Sequence, residues 1–236
     1  MTSTFILYGF GPGFGLPEVS PFVTKTEVQL KMAGIAYTKE RARPDASPKG
    51  QIPFISDDGT VIADSTFIRA HIEKTRGFDF DAGLDDRQRA EAWTLERLIE
   101  NHLNAAMIHA RWLMPENFAK GPGKLFIPPQ AHPEAIERVT AALKAQGIAR
   151  HAPAEIDELG DRSLKALSLM LGDKPYLMGQ QPTGVDATAF GEMAAILTPF
   201  FESPLRHNAE GYANLVAYTT RMMKRYYPDH PWPAAA

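Results

Sequence analysis

Pro53 interrupts the strand-like run KGQIPFISDDGTVIADS, residues 49–65, and its position needs a chemical reason. Proline donates no backbone hydrogen bond and is disfavoured inside a sheet. An edge strand or a bulge accommodates it. A cis Ile52–Pro53 bond does so as well, turning the chain sharply and leaving neighbouring backbone groups available to a ligand. Gly9, Gly11, Gly13 and Gly15 lie between a strand and a helix, the setting of a phosphate loop. Their spacing fails, because the third glycine of G-x-G-x-x-G falls on Phe14 or Leu16 and no Gly-Lys-Ser/Thr follows. His102 and His109 share one helix with Glu100 but lack the H-E-x-x-H or paired E-x-x-H pattern, so no metal site is predicted. The chain has no cysteine. That removes disulfides, thiolate metal sites, cysteine nucleophiles and redox cycles through a protein thiol. Any thiol chemistry requires a ligand that brings the sulfur.

The elements that must position these residues read in order. Phe5–Tyr8 is a short strand, followed by a Gly/Pro-rich loop over residues 9–19. Ser20-Pro21 is an N-cap with proline at the first helical position. Phe22, Val23, Leu30 and Ala33 give the following helix an apolar face, and Gly34 closes it. IAYTKERA is a second strand, parallel to the first because a helix joins them. PFISD and TVIAD flank Asp57-Asp58-Gly59 as an antiparallel hairpin. Asp64 or Ser65 then opens a helix to about Lys74. Residues 76–86 read as a linker.

Helices dominate afterwards. Ala92, Leu95, Ile99, Leu103, Ala106, Ala110 and Leu113 form a stripe on one helix, Gln88–Met114, of about 40 Å. Further helices are predicted at Pro133–Gln146, Pro153–Leu171, Gly184–Leu197 and Tyr212–Arg225. The fold class is therefore α/β plus all-α, with domains at 1–78 and 87–236. The terminal PWPAAA is expected to fray.

The totals restrict partners. The 236 residues are 44% hydrophobic and 22% charged, with net charge −3. No global basic field points to nucleic acid or an acidic membrane surface, and RMMKRYY near the C-terminus reads as a solvated helix face. The N-terminal segment lacks the basic region of a secretory signal, and no apolar run is long enough to span a bilayer. A cytoplasmic location is expected.

Three motifs carry a resemblance over nearly the whole chain. SPKGQIPFI resembles the Asn-Pro-x-Gly-x-Val-Pro segment of the cytosolic glutathione transferase superfamily, with Ser47 where asparagine is frequent. ADSTFIRAHIE resembles its Glu/Asp-Ser-x-x-Ile helix start, and PTGVDATAFGEMAAI its capping-box helix, with Thr183 as N-cap and Asp186 three residues on. GPGFGLPEVSPFVTKTEVQLKMAGIAY looks most like a bacterial branch related to the metaxin and failed-axon-connections proteins.

This resemblance implies a thioredoxin-like N-terminal domain with a mixed four-stranded sheet, an all-helical second domain, and glutathione as co-substrate. It implies that a cis Pro53 presents the backbone of Ile52 to the cysteinyl part of glutathione, as in peptide addition to a sheet edge. Asp64 and Ser65, at a helix N-terminus, would receive the γ-glutamyl carboxylate. Lys49 and Gln51 would reach the glycyl end. Ser20, or alternatively Tyr8, would stabilise the thiolate. His109, Arg111, Trp112 and Met114 would wall the pocket of a small electrophile. Branches that form a mixed disulfide need a cysteine at position 20, so the chain is expected to be serine-type. A homodimer is the family's usual state. The relatives also imply an alternative, a non-catalytic scaffold or ligand carrier of the same fold.

Overall fold

The computed structural model describes residues 5–232, so the end of the PWPAAA tail lies outside the described residues. Strand β1 (Phe5–Gly9) leads through the glycine loop to helix α1 (Pro21–Met32), and β2 (Thr38–Arg41) returns parallel to β1. Strands β3 (Phe54–Asp57) and β4 (Thr60–Ala63) form a hairpin around Asp58 and Gly59, whose φ values of 47° and 86° suit an Asp-Gly turn. Helix α2 (Ser65–Arg76) follows, and the sheet order is β2-β1-β3-β4. Gly77, at φ 63°, closes α2.

The helical part comprises α3 (Asp86–Arg97), α4 (Asn104–Trp112), α5 (Pro115–Lys120), α6 (Pro122–Leu125), α7 (His132–Gln146), α8 (Pro153–Leu171), α9 (Gly184–Leu197), α10 (Pro204–Glu210) and α11 (Ala213–Tyr226). A π-helical turn, Leu98–Leu103, joins α3 to α4, so the predicted long helix carries one wider turn. The apolar stripe continues across it, with Ala92 to Ala110 buried and Leu113 half-buried. The predicted helix also stops at Trp112, and Met114 instead begins the next short helix, where Pro115 occupies the first turn. Met222, Met223, Tyr226 and Tyr227 are buried while Arg221, Lys224 and Arg225 are exposed, which makes RMMKRYY an amphipathic helix end.

Two cores result. Leu7, Val23, Leu30, Ile55, Ile68 and Ile72 join the sheet to α1 and α2, and a larger core surrounds α9. Helix α9 is buried along its whole length. Its start is fixed by Asp186, whose Oδ2 accepts the Thr183 amide at 2.8 Å and whose Oδ1 accepts the Leu177 amide at 2.9 Å. Helix α1 lies between the sheet and α9, so its polar residues from Thr24 to Gln29 are buried together with its apolar ones.

Candidate active site

The register Tyr8↔Phe54↔Ala63 brings the end of β1, the start of β3 and the end of β4 to one end of the strands. The segments leaving that end carry Ser20, Ile52-Pro53 and Asp64-Ser65. The Ile52–Pro53 peptide is cis. The carbonyl of Pro53 accepts the Asp64 amide at 3.2 Å, tying the proline turn to the start of α2. Asp64 adopts φ 82°, a conformation uncommon for a residue other than glycine, and its Oδ1 accepts the Thr66 amide at 2.9 Å. Ile52, Pro53 and Ser65 are buried, whereas Lys49 and Gln51 are exposed. The Lys49 ammonium lies 3.9 Å from the centroid of the Phe67 ring.

Ser20 caps α1, and its Oγ accepts the Val23 amide at 3.4 Å. That bond uses a lone pair and leaves the hydroxyl proton for another acceptor. Behind it stands Glu18, only 1% exposed, whose carboxylate accepts the amides of Gly11 at 2.9 Å and of Phe10 and Ser20 at 3.3 Å. Lys39 pairs with the same carboxylate at 3.0 Å. A Cβ at Gly9 would fall 2.8 Å from Glu18 Oε2, so glycine there makes room for the carboxylate. Glu18 was not singled out by the sequence reading. Its only signal was an acidic residue within a Gly/Pro loop.

Arg111 also acts on this loop. Its Nη1 donates to Val19 O at 3.1 Å and its Nη2 to Ala195 O at 2.6 Å, while the guanidinium lies over the rings of Phe14 and Phe201. Arg111 is thus a buried clamp between the loop and α9, because the planar fork reaches two carbonyls at once. Burial lowers its pKa to about 10, and it stays charged at neutral pH.

The other expected pocket residues have neighbours within the helical part. His109 faces Asp157 of α8, and burial lowers its pKa against the field of that carboxylate. Trp112 lies 6.1 Å from the Phe118 ring, and Met114 Sδ accepts Asn117 Nδ2 at 3.8 Å. His102 Nδ1 is 2.8 Å from Ser163 Oγ. Tyr8 sits within β1 and stacks on Phe54 at 4.3 Å. Pleating directs it to the opposite face from Leu7, which packs with α1 and α2. Aromatic residues bridge the glycine loop to the helices, with Phe10 and Phe126 at 5.1 Å and Phe14 and Phe201 at 4.8 Å.

The arrangement brings together the Ile52-Pro53 segment, a helix start with a strained cap, and a hydroxyl at a second helix start. Peptide-like anions suit such a site.

Comparison with known proteins agrees. Residues 21–117 match the glutathione S-transferase N-terminal domain and residues 160–222 the glutathione S-transferase C-terminal domain. The chain is 31% identical to the isoprene-epoxide–glutathione S-transferase of Rhodococcus sp. (strain AD45), over 93% of this chain and 98% of that one. It is 33% identical to Failed axon connections of Drosophila melanogaster over 94% of this chain, and spans 58% of that relative's length. Metaxin-2 of Mus musculus is 30% identical over 78% of this chain and 72% of its own. The fold matches a glutathione S-transferase from Methylobacterium radiotolerans in complex with glutathione sulfonate, with TM-score 0.66 and 14% identity over 99% of this chain and 97% of that one. Human glutathione S-transferase T1-1 gives TM-score 0.61 and 16% identity over 95% and 85% of the two chains. With a near-full-length relative at 31% identity, the chain belongs to the glutathione S-transferase superfamily.

Proposed function

We propose that the chain is a serine-type glutathione transferase that joins the thiol of reduced glutathione to a small hydrophobic electrophile. The observation that carries this reading is the convergence of Ser20, Ile52-Pro53 and Asp64-Ser65 at one end of the sheet's strands. Ile52 offers its backbone to the cysteinyl unit. The start of α2, with Ser65, receives the γ-glutamyl carboxylate. Lys49 and Gln51, both exposed, serve the glycyl end.

Glutathione supplies the nucleophilic sulfur that a chain without cysteine lacks. Ser20 donates a hydrogen bond from its hydroxyl to the thiolate, keeping its proton, and the positive end of α1 adds to the stabilisation, which raises the ionised fraction at neutral pH. The thiolate attacks an electrophilic carbon; a C–S bond forms and the bond to the leaving oxygen or other leaving group breaks, with its electron pair. Trp112, Met114 and His109 belong to the electrophile side, with Arg111 holding the loop against it. We assign the protein to the cytoplasm as a homodimer; among the described residues, no helix is long and apolar enough to cross a membrane.

Incubation with reduced glutathione and a short alkyl epoxide, followed by mass spectrometry, tests the activity. A thioether adduct formed faster than in a protein-free control is the expected result. No enzyme-dependent adduct across epoxides, alkyl halides and activated aryl halides would favour the scaffold reading. That second reading has its own support in the 33% identity to Failed axon connections.

A further inference from the structure

Helix α9 lies directly beneath the first turn of α1, since a Cβ added at Gly191 would sit 2.5 Å from the carbonyl oxygen of Pro21. Beside this contact, and bordered by the π-turn, is a partly open chamber of about 10 Å³ lined by Pro21, Phe22, Lys25, Ile99, Glu100, Thr188 and Glu192. Among the described residues, Thr188 Oγ1 and Glu192 Oε1 have no hydrogen-bond partner, although the two residues are only 4% and 2% exposed. The two residues are one turn apart on α9 and share a face. The other carboxyl oxygen, Glu192 Oε2, accepts Asn104 Nδ2 at 3.1 Å, which fixes the group. Across the chamber, Lys25 Nζ lies 2.7 Å from Glu100 Oε1.

We propose that this chamber binds one water molecule joining Thr188 Oγ1 to Glu192 Oε1, and that Glu192, which shares the space with Pro21 and Lys25, is a positioning residue that acts on the first turn of α1 through its charge. The volume is about that of one water, and buried polar atoms without protein partners are the usual hosts of internal water. A metal or ammonium ion is disfavoured by the Lys25 ammonium facing the same space. A neutral molecule that both donates and accepts satisfies a hydroxyl and a carboxyl together. The hydration is independent of the enzymatic reading, whereas the positioning role rests on it.

The charged groups facing Glu192 are Lys25 from α1, Glu100 from the π-turn and Arg111 from α4. Deep burial pushes the Glu192 carboxyl up to about 7, with Glu100 acting in the same direction and the Asn104 bond and Arg111 opposing. The folded pKa therefore exceeds the unfolded value of 4.5. This group's contribution to stability is complete below the unfolded pKa and is lost as pH rises through the folded one. Ionisation would also place a negative charge beneath the helix start that stabilises the thiolate.

Thermal unfolding of the full chain between pH 5 and pH 8.5 tests this with Glu192→Gln, which keeps the shape of the neutral acid. The wild type should lose stability relative to the variant progressively from pH 5 to about pH 7, and the two curves should run parallel above that. Thr188→Val provides the second arm. If water is bound, the variant loses one of its partners and the melting temperature falls by about 2–4 °C. In a dry chamber the methyl would replace an unsatisfied hydroxyl and the melting temperature would rise. Curves already parallel from pH 5 for the Gln variant, or a rise for the Val variant, would overturn the hydrated acid.

Ultraviolet titration of bound glutathione reads the positioning role. The bound thiol's pKa should be lower in Glu192→Gln by about half a unit, the scale of one screened charge acting over roughly 10 Å. Identical thiol titrations would refute the positioning role. Absence of glutathione binding would remove that role together with the proposed enzyme, while the melting curves still decide the hydration.

Discussion

Replacing Ser20 with alanine lowers kcat/KM for conjugation by about 10²-fold, the usual consequence of deleting one donor to a developing or resident anion. Glutathione affinity should stay within about twofold, because the peptide contacts at Ile52 and Ser65 remain. The hydroxyl has a second role as the cap of α1, bonding the Val23 amide at 3.4 Å. Its loss costs about 1 kcal/mol of stability. Steady-state kinetics at saturating glutathione, with a melting curve for each variant, separates the two roles. Ser20→Thr should retain the cap and much of the turnover. Unchanged kcat/KM in Ser20→Ala would return attention to Tyr8, whose ring now reads as a sheet residue stacked on Phe54.

The largest effect on stability is expected from Lys25→Met, at about 3–5 kcal/mol. Lys25 is 1% exposed and pairs with Glu96 at 3.2 Å and Glu100 at 2.7 Å. Glu96 also binds Arg69 at 2.8 Å, and Arg69 reaches Asp81 at 2.6 Å. The network therefore connects α1 and α2 to α3 and its π-turn. Deleting the ammonium leaves two buried carboxylates facing each other, with Arg69 still on Glu96 at 2.8 Å and Arg97 still on Glu100 at 2.6 Å, and the penalty comes mainly from the uncompensated repulsion between them. Urea unfolding measures it, and adding Glu100→Gln to Lys25→Met should recover part of the loss. A change below about 1 kcal/mol would mean that solvent reaches the cluster and screens it.

That network also marks where the sequence was hard to read. On α1, Lys25 and Gln29 fit a solvated face opposite Val23 and Leu30, yet α1 is enclosed on both sides and they are buried. Local periodicity distinguishes polar from apolar positions; it carries no information about a second layer that supplies partners for polar ones. Glu27 illustrates this, since Tyr37, Lys39 and Tyr227 surround it from distant parts of the chain. The π-turn was equally hidden, because the apolar stripe continues through it without a break.

Where a residue type forces the backbone, the reading was sharper. Asp58-Gly59 marked the hairpin, Ser20-Pro21 the start of α1, and Gly77 lies at the end of α2. The Thr183/Asp186 pair marked the start of α9. The site residues were legible only as separate signals. Their convergence depends on the Tyr8↔Phe54↔Ala63 register, a long-range pairing with no local signature. The clamp that Arg111 makes was hidden for the same reason: its partners, Val19 and Ala195, are far away in sequence.

Calorimetric titration of the purified protein with reduced glutathione near neutral pH tests the central claim most directly. The account predicts one saturable site with Kd in the micromolar to low millimolar range, weakened about tenfold or more in Ser65→Ala, which loses a charge-assisted contact. No heat of binding, together with no thermal stabilisation at high glutathione concentration, would contradict a glutathione site and leave the chain a scaffold of the same fold.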